Sequence, residues 1–93
     1  KQGWLFNTDL PLRVEIIARL SIPSSKSKKW KQAAADGVEK PTKKPDVDNI
    51  AKTVTDALSG VIYKDDKQIV SLTVAKRYAE EPGVKVTVQV LGS

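Results

Sequence analysis

The segment KKPDVDNIAKTVTDALSGVIYKDDKQI, residues 43–69, carries the reading on which the fold turns. Val47, Ile50, Val54, Ala57, Leu58 and Val61 recur at helical spacing and predict one apolar stripe on a helix from about Asp48 to Gly60. Asp48, Lys52, Thr55, Asp56 and Ser59 fall on a second, polar stripe. Gly60 suits the left-handed residue that ends a helix. Pro45 disfavours helical backbone at Lys44, so the chain is expected to enter Asp46 extended. In an extended Asp46–Val47–Asp48 both carboxylates point the same way and Val47 turns inward. A turn centred on Lys64–Lys67 closes the segment.

Upstream, Leu12, Val14, Ile16, Ala18, Leu20 and Ile22 alternate with Arg13, Glu15, Arg19 and Ser21. That period predicts a long half-buried strand ended by Pro23. Downstream, Gln68–Tyr78 reads as a strand with Val70, Leu72 and Val74 inward. AEEPG, residues 79–83, reads as a hairpin connection to a last strand in which Val84, Val86, Val88 and Val90 alternate. The order strand, helix, strand, strand predicts an α+β fold: a small, largely antiparallel sheet with one main helix packed on one face. Residues 24–45 are polar and read as a flexible lysine-rich segment, with room for a short helix near Trp30–Asp36 closed by Gly37. Residues 1–9 show no periodicity and read as a loop. The 93 residues make a single domain.

Composition narrows the chemistry. The chain has no cysteine, which removes disulfides, thiolate nucleophiles and the usual structural zinc site. It has no histidine, which removes the commonest general base and the Ser–His pair. Catalysis would then fall to carboxylates, lysines, hydroxyls or an oxygen-bound metal. No apolar run reaches bilayer-spanning length and no signal peptide is visible, so a cytoplasmic location is expected, with no membrane partner.

The net charge of +5 is concentrated. Residues 24–45 hold Lys26, Lys28, Lys29, Lys31, Lys40, Lys43 and Lys44 against Asp36 and Glu39, whereas the remainder balances nine basic against nine acidic residues. Such a segment reads either as a solvated loop or as a phosphate-binding stretch, because clustered lysines release counterions from a polyanion. Trp30 among the lysines reads either as a base-stacking ring or as an anchor to the core.

The aspartates also admit two readings. Asp46 or Asp48 could cap the helix and Asp65–Asp66 could serve the turn. Capping explains one of the first two more readily than both. Alternatively, carboxylates share Mg²⁺, which keeps several waters and shares them with a substrate phosphate. Lys52, four residues after Asp48, forms either an i,i+4 ion pair or a contact to a scissile phosphate. Asp56 lies roughly 12 Å along the axis from Asp48 at 1.5 Å per residue and is assigned a structural or surface role.

KKPDVDNIAKTVTDAL followed by GVIYKDDKQIVSLTVAKRY resembles the signature of RusA-type Holliday junction resolvases of bacteria and their phages. The pattern is Pro-Asp-x-Asp-Asn-x-x-Lys with a later Asp-Asp-x-x-Ile, and the preceding SIPSSKSKKWKQAAADG resembles the lysine-rich segment of phage-type members. The resemblance implies a RusA-like fold and a crossover junction endodeoxyribonuclease of DNA recombination and repair. It implies Mg²⁺, with Mn²⁺ as a substitute, held by Asp46, Asp48 and Asp66, and a catalytic role for Lys52. Asn49, Asp65 and Gln68 match the motif without a catalytic role. A homodimer acting on branched DNA is implied, with backbone contacts from the lysines between Lys26 and Lys44. The resemblance covers about residues 10–91. Family members usually begin with a further strand and helix, so the chain is expected to correspond to a C-terminal portion of the full domain.

Two other classes fit parts of the sequence. One is a basic nucleic-acid-binding module without catalysis, whose aspartates cap a helix and form a turn. The other is a structural protein of a larger assembly, with lysines on RNA or acidic partners.

Overall fold

The alternating segment forms strand β1 (Leu12–Ser21), and it occupies the middle of a three-stranded sheet of order β2-β1-β3. A computed structural model describes residues 9–92; residues 1–8, most of the stretch read as a loop, lie outside it. Helix α1 (Lys28–Ala35) and helix α2 (Val47–Leu58) follow β1, and a short 3₁₀ turn at Asp66–Gln68 leads into β2 (Ile69–Ala79) and β3 (Gly83–Val90). The α+β architecture, with its main helix on one sheet face, is as the sequence pattern predicts.

The sheet is mixed rather than largely antiparallel. β2 runs parallel to β1, with Ile16 opposite Val74, and β3 runs antiparallel to it, with Ile16 opposite Val86. The AEEPG segment therefore forms no hairpin. Its strands lie on opposite sides of β1, and the connection passes across the end of that strand. Two strand spacings amount to about 9.6 Å, and four extended steps from Ala79 to Gly83 reach about 13 Å, so the short link suffices. Burial explains the choice: Leu12, Val14 and Ile16 of β1 are fully buried and Ala18 nearly so, which requires neighbours on both edges.

The core lies between this face of β1 and α2. Ile50 joins Val14, Ile16 and Ala18 there, and Val54, Ile69, Val74, Val86 and Val88 pack against this cluster. The predicted stripe on α2 is narrower than its spacing suggests, since Val47 and Val61 are exposed and Ala57 faces solvent. On β2 the register slips between Leu12 and Arg13, which face Ile69 and Ser71. Val70 takes the extra position of this bulge and is exposed, while Leu72 remains opposite Val14 and only partly covered. Between α2 and β3 a groove of about 370 Å³ stays open, lined by Ala18, Leu20, Pro45, Ile50, Val54 and Val84.

Gly60 adopts a positive φ of 79° just past α2, and Gly37 one of 84° past α1, both as the helix-ending pattern requires. Among the described residues no helix is long and apolar enough to cross a membrane.

Candidate functional site

At the start of α2, Asp46 is extended (φ −75°, ψ 151°) and holds the N-cap position, yet its carboxylate makes no capping hydrogen bond. Asp48 is already helical, and its Oδ1 accepts from the Asn49 amide at 3.0 Å. The extended Asp46–Val47–Asp48 run thus stops at Asp46, because the helix begins at Val47, and Val47 points to solvent rather than inward. Lys52 is exposed one turn further on. Among the described residues Lys52 forms no ion pair with Asp48; the salt bridge there joins Lys64 to Asp9 at 3.2 Å.

Asp65 and Asp66 divide their roles. Asp65 Oδ1 accepts from the Lys67 amide at 2.9 Å, and Gln68 Oε1 accepts from the Asp65 amide at 3.1 Å, a reciprocal cap of the 3₁₀ turn. Asp66 is left out of that cap. Its Oδ1 accepts a 2.8 Å hydrogen bond from the hydroxyl of Tyr63, whose ring is fully buried. Burial raises the Tyr63 pKa well above its ordinary value, and the Asp66 hydrogen bond and the Asp66 and Asp56 charges push the same way. The phenol therefore stays protonated and remains a donor. Asp66 Oδ2 has no partner among the described residues.

Asp66 shares a shallow depression of about 330 Å³ with Thr55. Thr55 lies about 10 Å further along α2 than Asp48 at 1.5 Å per residue. Among the described residues no three acidic side chains stand close enough to hold one ion between them. Asp46, Asp48 and Asp66 therefore do not form a three-carboxylate cage. Their chemistry fits Mg²⁺ in the manner in which proteins usually bind it, through one or two hard carboxylates with water and phosphate filling the shell. Asp46 is unspent as a cap and Asp66 is aimed by Tyr63, so both offer such an oxygen. Asp56, assigned no part in the site, is near enough to Tyr63 for its charge to act on the phenol.

The lysine-rich segment is anchored rather than loose. Ser27 caps α1 by accepting from the Trp30 amide at 3.1 Å. Trp30 meets Tyr78 of β2 edge-on with ring centroids 5.4 Å apart, which favours the anchoring reading of this residue. Lys26 Nζ sits 5.0 Å from the centre of the same ring. Lys76 of β2 donates to the Lys43 carbonyl at 2.7 Å and ties down the end of the segment. Lys28, Lys29 and Lys31 begin α1, whose first turn carries no acid. Cations at a positive helix N-terminus are unfavourable on their own and strengthen the pull on an anion.

Tyr63 was not legible as a site residue. Its one signal is an aromatic side chain three positions before Asp66 in an otherwise polar turn.

The sequence profile of the family described as Endodeoxyribonuclease RusA matches residues 3–89. The uncharacterized protein YqaN of Bacillus subtilis (strain 168) is 47% identical over 81 residues, which are 85% of this chain and 57% of that protein. The chain thus spans little more than half the length of this curated relative. No solved structure matches it.

Proposed function

Because the chain belongs to the RusA endodeoxyribonuclease family, we propose that it works as a crossover junction endodeoxyribonuclease, resolving four-way (Holliday) junctions in DNA recombination and repair. The family match over residues 3–89 supports the reaction class, and the observation that carries the site is Asp46. It occupies a capping position without making a capping bond, so its carboxylate is available to a ligand.

Mg²⁺, or Mn²⁺ in its place, would bind through one or two of Asp46, Asp48 and Asp66 rather than all three at once, and would supply positive charge to the phosphate and acidify a bound water. Tyr63 would hold Asp66 through the 2.8 Å hydrogen bond to Oδ1 and leave Oδ2 for the ion. Lys52, unpaired with Asp48, offers its ammonium to charge developing on the phosphate or on the leaving oxygen. The lysines from Lys26 to Lys44 hold the backbone, and recognition rests on shape and phosphate geometry more than on base edges. A homodimer places two such sites about a two-fold axis, which suits a junction cut on two opposing strands. The open groove between α2 and β3 offers apolar surface for association.

Incubating the protein with a synthetic four-way junction and Mg²⁺ tests this directly. The expected result is paired nicks near the branch point, absent with linear duplex of the same sequence and abolished by Asp66→Asn. A non-catalytic binding module is the second reading, favoured by the lack of a three-carboxylate cluster among the described residues. Salt-sensitive junction binding with no nicking under Mg²⁺ or Mn²⁺ would select it.

A further inference from the structure

Arg19 of β1 and Arg77 of β2 lie directly opposite each other in the parallel register. They share the sheet face turned away from α2, which the alternation gives to Arg13, Glu15, Ile17 and Arg19. Lys85 of β3 stands on the same face opposite Ile17, one row away. Like charges directly opposite in a sheet repel, yet none of these three makes an ion pair among the described residues. Arg19 Nε is buried and has no hydrogen-bond partner among the described residues. Its guanidinium approaches the start of β3, with Nη2 3.1 Å from the point a Cβ on Gly83 would occupy. Arg77 Nη2 and Lys40 Nζ each come within 4.0 Å of the corresponding point at Gly37, so the C-terminal end of α1 adds a further cation.

Arg19, Arg77 and Lys85 line a depression of about 600 Å³ together with Glu80 and Glu81. A second depression of about 410 Å³ carries Lys28 and Lys31 of α1 and shares Ala35, Ala79 and Glu80 with the first. The two form one trough from the start of α1 across the outer sheet face. Five cations, Arg19, Arg77, Lys85, Lys28 and Lys31, line it against Glu80 and Glu81.

The geometry points to a phosphate-binding surface on the outer sheet face, in which Arg19, Arg77 and Lys85 continue the lysine face of α1 and hold a nucleic-acid backbone. An isolated phosphate would need one compact pocket, whereas an open trough with cations along its length suits an extended polyanion. The guanidinium fork matches phosphate oxygens bidentately, and an anion between Arg19 and Arg77 relieves their mutual repulsion. The three sheet cations are separate from the aspartates and from the lysines of residues 24–45. The proposal rests on the nucleic-acid reading above only for the source of its phosphates.

The test is fluorescence anisotropy of a labelled four-way junction across a KCl series, with wild type, Arg19→Gln/Arg77→Gln, Lys85→Gln and Lys28→Gln/Lys31→Gln. Each phosphate no longer neutralised lowers the slope of log affinity against log salt by about 0.9 on duplex arms. The arginine double variant should lower it by about 1.8 and Lys85→Gln by about 0.9 on that scale. Arg77→Lys keeps the charge but removes the fork, so it should retain the slope and bind several-fold more weakly. Thermal melting separates binding from folding, because removing one of two facing like charges should leave the melting temperature equal or higher. Lys85, exposed on an edge strand, provides a variant that does not depend on this packing. A wild-type slope in the folded arginine and Lys85 variants, beside a flattened slope in the lysine variant, overturns the proposal and leaves the DNA reading standing. Salt-independent or absent DNA binding by the wild type overturns both.

Discussion

The hydroxyl of buried Tyr63 donates a 2.8 Å hydrogen bond to Oδ1 of Asp66, tying the core to a carboxylate of the candidate site. A hydrogen bond to a charged acceptor contributes about 1.5–3 kcal/mol, and Phe at position 63 keeps the ring while removing the donor. Tyr63→Phe should therefore lower stability by about 1.5–3 kcal/mol, and Tyr63→Ala by about 3–5 kcal/mol through the added cavity. Urea denaturation checks both. Mn²⁺ affinity, measured by electron paramagnetic resonance on folded Tyr63→Phe, should weaken severalfold. An unchanged affinity would mean that Tyr63 supports the fold but does not orient Asp66.

The same hydrogen bond sets a pH dependence. An ordinary phenol titrates near about pH 10, whereas burial, followed by the Asp66 bond and the Asp66 and Asp56 charges, raises the Tyr63 pKa in the folded chain. Above about pH 10 the unfolded chain releases this proton and the folded chain keeps it, so the folded state binds more protons and stability falls as pH rises. Phe at position 63 has no proton to lose. The stability advantage of wild type over Tyr63→Phe should be constant at neutral pH and shrink above about pH 10. A constant gap up to about pH 11, one unit beyond the ordinary phenol value, would remove the coupling.

Much of this framework is readable in the sequence, and the exceptions have identifiable causes. Strand β1 and helix α2 emerge because strict period-2 and period-3.6 patterns each bury one face. The hairpin expectation at residues 79–83 failed because local sequence cannot report which strand lies between two others. That outcome depends on the demand of Leu12, Val14 and Ile16 for two covered edges, a long-range effect. Val70 reads as inward on alternation, and the bulge opposite Leu12 and Arg13 displaces it. The motif identified Asp46, Asp48, Asp66 and Lys52 as candidates by residue type and spacing. It could not show that Asp65 spends its carboxylate on a cap while Asp46 does not, since either would cap from sequence alone. The facing of Arg19 and Arg77 follows from strand register, which no local pattern encodes.

Asp46 and Asp65 provide an internal comparison. An N-cap aspartate that makes its hydrogen bond typically contributes about 1 kcal/mol. Asp65 makes that bond and Asp46 does not, so Asp65→Ala should cost about 1 kcal/mol and Asp46→Ala distinctly less. With Mg²⁺ the order should invert. Millimolar Mg²⁺ should raise the melting temperature of wild type and Asp65→Ala, because an ion bound only by the native state stabilises it, and barely move Asp46→Ala or Asp46→Asn. If Mg²⁺ and Mn²⁺ leave the wild-type melt unchanged and Asp46→Ala is the more destabilised of the two, Asp46 is a cap and the metal reading fails.

The start of α1 sets stability against binding. Lys28, Lys29 and Lys31 occupy its first turn without an acid beside them. Each cation there opposes the helix dipole at a cost of about 0.3–1 kcal/mol. Replacing all three by Gln, which retains helix propensity, should stabilise the protein by about 1 kcal/mol. Every lysine that pairs with a phosphate adds about 0.9 to the salt slope of junction binding, so the triple variant should show a flatter slope. A variant that melts higher and binds DNA more weakly has given up residues retained for their ligand, since nothing in the fold rewards them. A variant that melts lower and keeps the wild-type salt slope would instead place these lysines in the packing of α1 on β2. The backbone-binding assignment of the helix would then have to be withdrawn, while the aspartates and Lys52 would stand on their own tests.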